Sequence, residues 1–148
     1  MSHQDPLAFQ VLNEVGIIDQ LAGHAAAQAL PRGMTLAQFG VLNHFVRLGH
    51  AWQTPARLAS AFQVSRPTMS TTLGRLERGG YVTIAPDPDD GRSKRVAITA
   101  RGRAMRDECL ACLEPPFAAL NAQVPPGLLA ELLPRLTKLR TILDAMRD

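Results

Sequence analysis

Residues 65–99, SRPTMSTTLGRLERGGYVTIAPDPDDGRSKRVAIT, constrain the fold of this chain most. Ser65 can cap a helix with its side-chain oxygen, and Gly79-Gly80 supplies a stop. Between them Met69, Leu73 and Leu76 step by four and three, so they share one face. The opposite face carries Arg66, Pro67, Ser70, Thr71, Gly74, Arg75 and Arg78. Residues 81–84 then read as a strand, Asp87-Pro88-Asp89-Asp90-Gly91 as a turn, and residues 95–98 as the returning strand. A helix with a polar, arginine-bearing outer face therefore runs straight into a hairpin whose tip carries Arg92, Lys94 and Arg95.

The flanking sequence is helical. Asp5-Pro6 reads as a cap followed by proline at the first helical position. Leu7, Val11, Val15, Ile18, Ala22, Ala25 and Ala29 recur at steps of three and four, and Pro31-Arg32-Gly33 ends that helix. Thr35 caps a second helix to about Leu48, with Leu36, Phe39, Asn43 and Val46 on one line, Leu42 and Phe45 beside it, and Gly49 as the stop. Thr54-Pro55 opens a short third helix with Leu58, Ala59 and Phe62 inward, and Trp52, just before it, is expected against the helical core. Gln63-Val64 leaves room only for a sharp corner before Ser65. Thr99 caps a fifth helix with Ala104, Cys109 and Leu113 inward and Arg101, Arg103 and Arg106 outward, which Pro115-Pro116 should break or kink. In the last helix Leu129, Leu132, Leu136, Leu139, Leu143 and Met146 alternate steps of three and four, a heptad-like seam in which Pro134 argues for a kink. The first and last helices carry more apolar stripe than one small domain needs, which suggests a symmetric dimer; an intramolecular bundle is the alternative.

Charge is unevenly placed. Residues 57–106 hold ten of the sixteen Lys and Arg and four of the thirteen Asp and Glu, a net of +6, against −1 for residues 1–56 and −2 for residues 107–148. A basic middle between acidic flanks points to a local polyanion site. A helix that can enter a major groove, followed by a basic hairpin that can reach a neighbouring groove, is the pattern of a winged helix-turn-helix. The N-terminal end of that helix, at Ser65, favours a phosphate. Arg66, Ser70 and Thr71 are the types that meet base edges, and Pro67 and Thr68 can offer apolar contact to a thymine methyl. Arg75, a turn further on, suits phosphate, as do Lys94 and Arg95. Arg92, beside Gly91, can enter a narrow minor groove. Asp90 is near enough to pair with and orient it, or is simply a turn residue.

The succession LASAFQVSRPTMSTTLGRLERGGYV then DPDDGRSKRVAITARG resembles the MarR family of bacterial transcriptional regulators, and the likeness covers nearly the whole chain. Its most specific part is the wing: Asp87-Pro88, Asp90, Arg92, Lys94, Ile98-Thr99 and Gly102, with Leu76-Glu77, Gly80 and Val82 at the helix-to-wing junction. The resemblance implies a mostly α fold with a small β-hairpin wing, in which residues 1–148 form one domain. Residues 35–99 would be the winged helix-turn-helix lobe, and 5–30 and 101–148 the dimerisation helices. It implies an obligate dimer, residues 66–71 as base readers, Arg92 as the minor-groove residue and Asp90 as its orienting partner. It also implies a small aromatic or phenolic effector bound between frame and reader, with Trp52, His44 and Phe45 as candidate lining residues that core packing explains equally well. Two positions depart from the family pattern: Gln63 stands at a corner where glycine is common, and Gly91 where a second basic residue is common.

Other chemistry is poorly supplied. Cys109 and Cys112 have CxxC spacing, but no further Cys or His follows, and His3, His24, His44 and His50 lack ligand spacing, so no metal or other cofactor is expected. Thiol-based redox sensing through Cys109 and Cys112 is the alternative regulatory reading. A winged helix serving as a protein-interaction module is another. No nucleophile–base set or glycine-rich phosphate loop suggests an enzyme. No apolar run reaches the ~18–20 residues of a membrane span, and MSHQDPLAFQ lacks an export pattern. The expectation is a cytoplasmic, homodimeric regulator that binds double-stranded DNA, a repressor released by its effector.

Overall fold

A computed structural model describes residues 4–147, so His3 lies outside the described residues. The elements run α1 (Leu7–Ala29), α2 (Leu36–Leu48), α3 (Pro55–Phe62), α4 (Arg66–Arg78), β1 (Val82–Pro86), β2 (Lys94–Ile98), α5 (Ala100–Gln123) and α6 (Leu128–Ala145). Two compact units divide within α5 after Glu114.

In the first unit, local signals set the boundaries. Thr35 and Gln38 form a reciprocal capping box at the start of α2, with bonds of 3.0 and 3.2 Å, and Gly49 ends the helix in the left-handed region. Thr54 Oγ1 accepts from the Arg57 amide at 3.2 Å, with Pro55 opening α3. The corner between α3 and α4 requires Gln63 at φ 51°, and the side-chain amide of Gln63 donates to the Ser60 carbonyl at 2.6 Å. β1 and β2 pair antiparallel, with Val82 opposite Ile98 and Pro86 opposite Lys94. Gln53 adds one rung on the outer edge of β2, exchanging backbone bonds of 2.9 and 2.8 Å with Val96. The core joins Val41, Leu42 and Phe45 of α2, Leu58 of α3, Leu73 and Leu76 of α4, Val82 and Val96 of the hairpin and Cys109 of α5.

Several sequence expectations need correction. Asp5 caps nothing: Pro6 occupies the cap position, and the Asp5 carbonyl instead accepts from the Gln10 side chain at 2.6 Å. The buried line of α2 is Gln38, Val41, Leu42 and Phe45, while Leu36 is exposed and Phe39, Asn43 and Val46 are half-buried. Ala104 is exposed, and Gly102 takes the inward place on α5 because a Cβ there would collide with the Tyr81 carbonyl. Arg106 turns inward, and its Nε and Nη2 both donate to Asn43 Oδ1 at 3.2 Å. Both strands extend further toward the turn than expected, to Pro86 and from Lys94, and β1 starts at Val82 rather than Tyr81. Trp52 is 36% exposed, not packed in the core. Pro115 and Pro116 do not interrupt α5, although neither can donate to the carbonyl four residues back.

α1 buries none of its residues, and Leu7, Phe9, Leu12, Ile18 and Leu21 stand exposed along it. Only its C-terminal end, at Ala26, Ala29 and Leu30, joins the core. In the second unit α6 runs unbroken through Pro134 and likewise buries no residue, with Leu129, Leu132, Leu136 and Leu143 exposed. Among the described residues no helix is long and apolar enough to cross a membrane, and no cluster of His, Cys, Asp or Glu is arranged to hold a metal ion.

Candidate nucleic-acid interface

The polarity of α4 is fixed by what its two faces touch. Met69, Thr72, Leu73 and Leu76 are buried, which turns Arg66, Pro67, Thr68, Ser70, Thr71, Arg75 and Arg78 to the outside. Proline in the first turn and the Ser65 cap start the helix: Ser65 Oγ accepts from the Thr68 amide at 3.2 Å and donates to Thr68 Oγ1 at 2.8 Å. Thr71 Oγ1 donates to the Pro67 carbonyl at 3.1 Å. The Ser70 hydroxyl has no partner among the described residues. Ser65 and Thr68 thus spend their hydroxyls on shaping the helix start, and Arg66 and Ser70 are the polar groups left open on its first turns.

The wing tip is a closed loop of backbone bonds. The Asp87 amide donates to Ser93 O at 2.9 Å, Asp90 N to Asp87 O at 3.3 Å and Ser93 N to Asp90 O at 3.0 Å. Two carboxylates cap amides within it: Asp87 Oδ1 accepts from Asp89 N at 2.9 Å, and Asp90 Oδ1 from Arg92 N at 3.0 Å. The Asp89 amide, aided by the Arg95 guanidinium, holds the Asp87 carboxyl below the usual aspartate range against the opposing effect of burial. Asp90 therefore meets Arg92 at its backbone amide and not in a guanidinium–carboxylate pair. The Arg92 guanidinium, like those of Arg66 and Arg75 and the Lys94 ammonium, is exposed and pairs with no acid among the described residues.

Arg95, expected at phosphate, is engaged within the chain. Its Nη2 lies 3.2 Å from Asp87 and 3.4 Å from Asp89, and its guanidinium carbon sits 4.1 Å above the Trp52 ring. Thr99 closes the base of the wing. Its amide donates to Tyr81 O at 3.1 Å, its hydroxyl donates to Gly80 O at 2.7 Å, and the same oxygen accepts from Gly102 N at 3.0 Å.

A concavity of about 250 Å³ is lined by the α1–α2 loop, the C-terminal part of α4 and α5. Arg32 and Arg75 stand at it with Met34, Gln38, Tyr81 and Met105. Neither Trp52, His44 nor Phe45 lines it. His44 packs instead near Phe62, with ring centroids 5.3 Å apart, and burial followed by the nearby Arg47 and His50 lowers its pKa. Cys109 is fully buried, and burial, then Cys112 and Glu108, pushes its thiol up to about 11.

A recognition-type helix with an arginine-bearing outer face, adjoining a hairpin with a free basic tip, defines a winged helix-turn-helix DNA-binding protein. The MarR family model matches residues 32–93. The HTH-type transcriptional repressor Rv2887 of Mycobacterium tuberculosis is 35% identical over 104 residues, covering 68% of this chain and 68% of that protein. The transcriptional activatory protein BadR of Rhodopseudomonas palustris is 38% identical over 72 residues, 48% of this chain and only 41% of BadR's length. Wild-type MarR from E. coli superposes with a TM-score of 0.76 at 25% identity, over 93% of this chain and 98% of that one. A mutant MarR from E. coli complexed with operator DNA gives a TM-score of 0.70 at 24% identity, over 91% and 99%. The chain belongs to the MarR family. It is a DNA-binding transcriptional regulator, and that family is not one of enzymes.

Proposed function

We propose that this chain works as a homodimer that reads a pseudo-palindromic duplex site, with half-sites about 34–36 Å apart, and represses until an effector releases it. The observation that carries the reading is the division of α4 into a core face and an open Arg–hydroxyl face beside an unpaired Arg92. Arg66, Ser70 and Thr71 meet base edges, Pro67 and Thr68 offer methyl contact, and Ser65 presents the helix start to phosphate. Arg75 and Lys94 meet phosphate, and Arg92, its amide held by Asp90, enters the minor groove.

Residues 35–99 form the reading lobe, and residues 5–30 and 101–148 serve dimerisation within one 1–148 domain. The exposed leucines of α1 and α6 support the latter, since a second copy would remove them from water. The role places the protein in the cytoplasm, with its DNA. For the effector, the concavity is lined by two cations, Arg32 and Arg75, together with Met34, Tyr81 and Met105, a mix that suits a small aromatic acid or phenolate. Burial and an elevated pKa speak against Cys109 as a reactive thiol.

Binding of the wild type and Arg92→Ala to a labelled duplex, followed across salt concentration, tests the reading. The expected result is a loss of affinity of about tenfold or more, at a flatter salt slope, with the dimer intact. Equal affinity would remove Arg92 from the interface.

A further inference from the structure

Adjacent cations on β2 have opposite surroundings. Lys94 is exposed, whereas the Arg95 side chain is 29% exposed, and its buried Nε has no hydrogen-bond partner. Strand alternation explains the placement. Val96 points into the core, so Arg95 points to the opposite face. Ala85 pairs with Arg95 in the register, and Asp87 follows two residues on, so it returns to that same face. On the other edge, Gln53 pairs with the inward Val96, which leaves its neighbour Trp52 on Arg95's side. Arg95 therefore spans the sheet from Trp52, beside the α3 cap, to Asp87 at the tip.

We propose that Arg95 is a positioning residue of the wing, clamped between Trp52 and the Asp87–Asp89 pair, and that it sets the pose from which Arg92 reaches DNA. The inference rests on the DNA-binding reading above. The contacts form a continuous path. Arg95 holds Asp87, Asp87 caps the Asp89 amide and anchors both Ser93 and Asp90, and Asp90 caps the amide of Arg92. The other end is fixed because Gln53 is bonded to β2 at 2.9 and 2.8 Å. Reaching for a phosphate would strip Asp87, whose side chain is only 11% exposed, of its cation, and would uncover the Trp52 face. The site asks for arginine specifically: a planar group can stack on the indole while its edge meets carboxylates, and an ammonium cannot do both.

The experiment compares Arg95→Lys, Arg95→Leu, Trp52→Leu and Trp52→Phe, alone and with Arg92→Ala, on a labelled duplex recovered by selection from a random library. A clamp predicts that Arg95→Lys weakens binding nearly as much as Arg95→Leu, by about tenfold, and that Trp52→Leu, which removes no charge, does the same. Trp52→Phe should rescue most of the loss. In the Arg92→Ala background Arg95→Leu should cost less than about twofold more, since the two act through one contact. Wild-type affinity in Arg95→Lys with an additive loss in Arg95→Leu would overturn the clamp and return Arg95 to phosphate. No effect of Arg92→Ala itself would overturn the wing reading and the clamp with it. In the DNA-free protein, amide exchange at Asp89 and Arg92 should accelerate several-fold in Arg95→Lys, and unchanged exchange would also overturn the clamp.

Discussion

Thr99 joins the reading helix, the wing and α5, and removing its hydroxyl alone tests how much that junction holds. Thr99→Val keeps the branched shape and the backbone bond to Tyr81, but loses the bond to Gly80 O at 2.7 Å and the one from Gly102 N at 3.0 Å. The second is an N-terminal cap on a half-buried amide, and its loss costs about 1 kcal/mol. The first is exposed, so water replaces much of it and its contribution sits near the low end, about 0.5 kcal/mol. No cavity opens, so the expected destabilisation is about 1.5 kcal/mol, or a fall in Tm of about 4–6 °C for a chain of this size. Urea unfolding followed by far-UV circular dichroism measures it, with an unchanged m-value expected. Thr99→Ser keeps both bonds and should stay within about 0.5 kcal/mol of wild type. Stability of Thr99→Val equal to wild type, or Thr99→Ser as damaging as Thr99→Val, would refute the assignment.

Gly91→Arg should tighten DNA binding and steepen its salt dependence by about 0.9 per protomer, because Gly91 is not in the left-handed region and a Cβ there meets open space. Weaker binding in that variant would place the tip away from DNA. Leu136→Asp, at 45% exposure in the α6 seam, should shift the protein toward monomer in analytical ultracentrifugation; an unchanged dimer counts against that seam. His44 has a lowered pKa, so the fold favours its neutral form; its contribution is complete above the ordinary value of 6.5 and is lost progressively as pH falls below it. The decline of unfolding free energy on acidification should be shallower in His44→Gln, and parallel curves would contradict this.

What is legible in the sequence is what neighbouring residues decide. Ser65, Thr35, Thr54, Thr99, Gly49 and the Met69–Leu73–Leu76 stripe each speak within one helical turn, and all stand where local chemistry puts them. The strained corner is also foreseeable, since a two-residue turn leaves few conformations, and Gln63 does adopt φ 51°. The α2 face is misread from polarity because Gln38 counts as polar, yet its side chain is consumed by the capping box and can be buried. The ion pairs of Arg95 go unread because Asp87 looks like turn. Extending β1 to Pro86 puts Asp87 and Arg95 on one face by period-two alternation alone, so that signal is present in the sequence. The Trp52 end of the clamp depends on a long-range rung to Val96 that no local pattern announces. The Arg32–Arg75 concavity likewise combines three separate stretches of chain, 31–38, 75–81 and Met105.

The most direct test of sequence-specific reading is selection of bound sites from a random duplex library at physiological salt. Enrichment of an inverted repeat, with half-site centres one helical turn apart, is the expected result. Salt-sensitive binding with no enriched sequence would contradict base reading by the open face of α4.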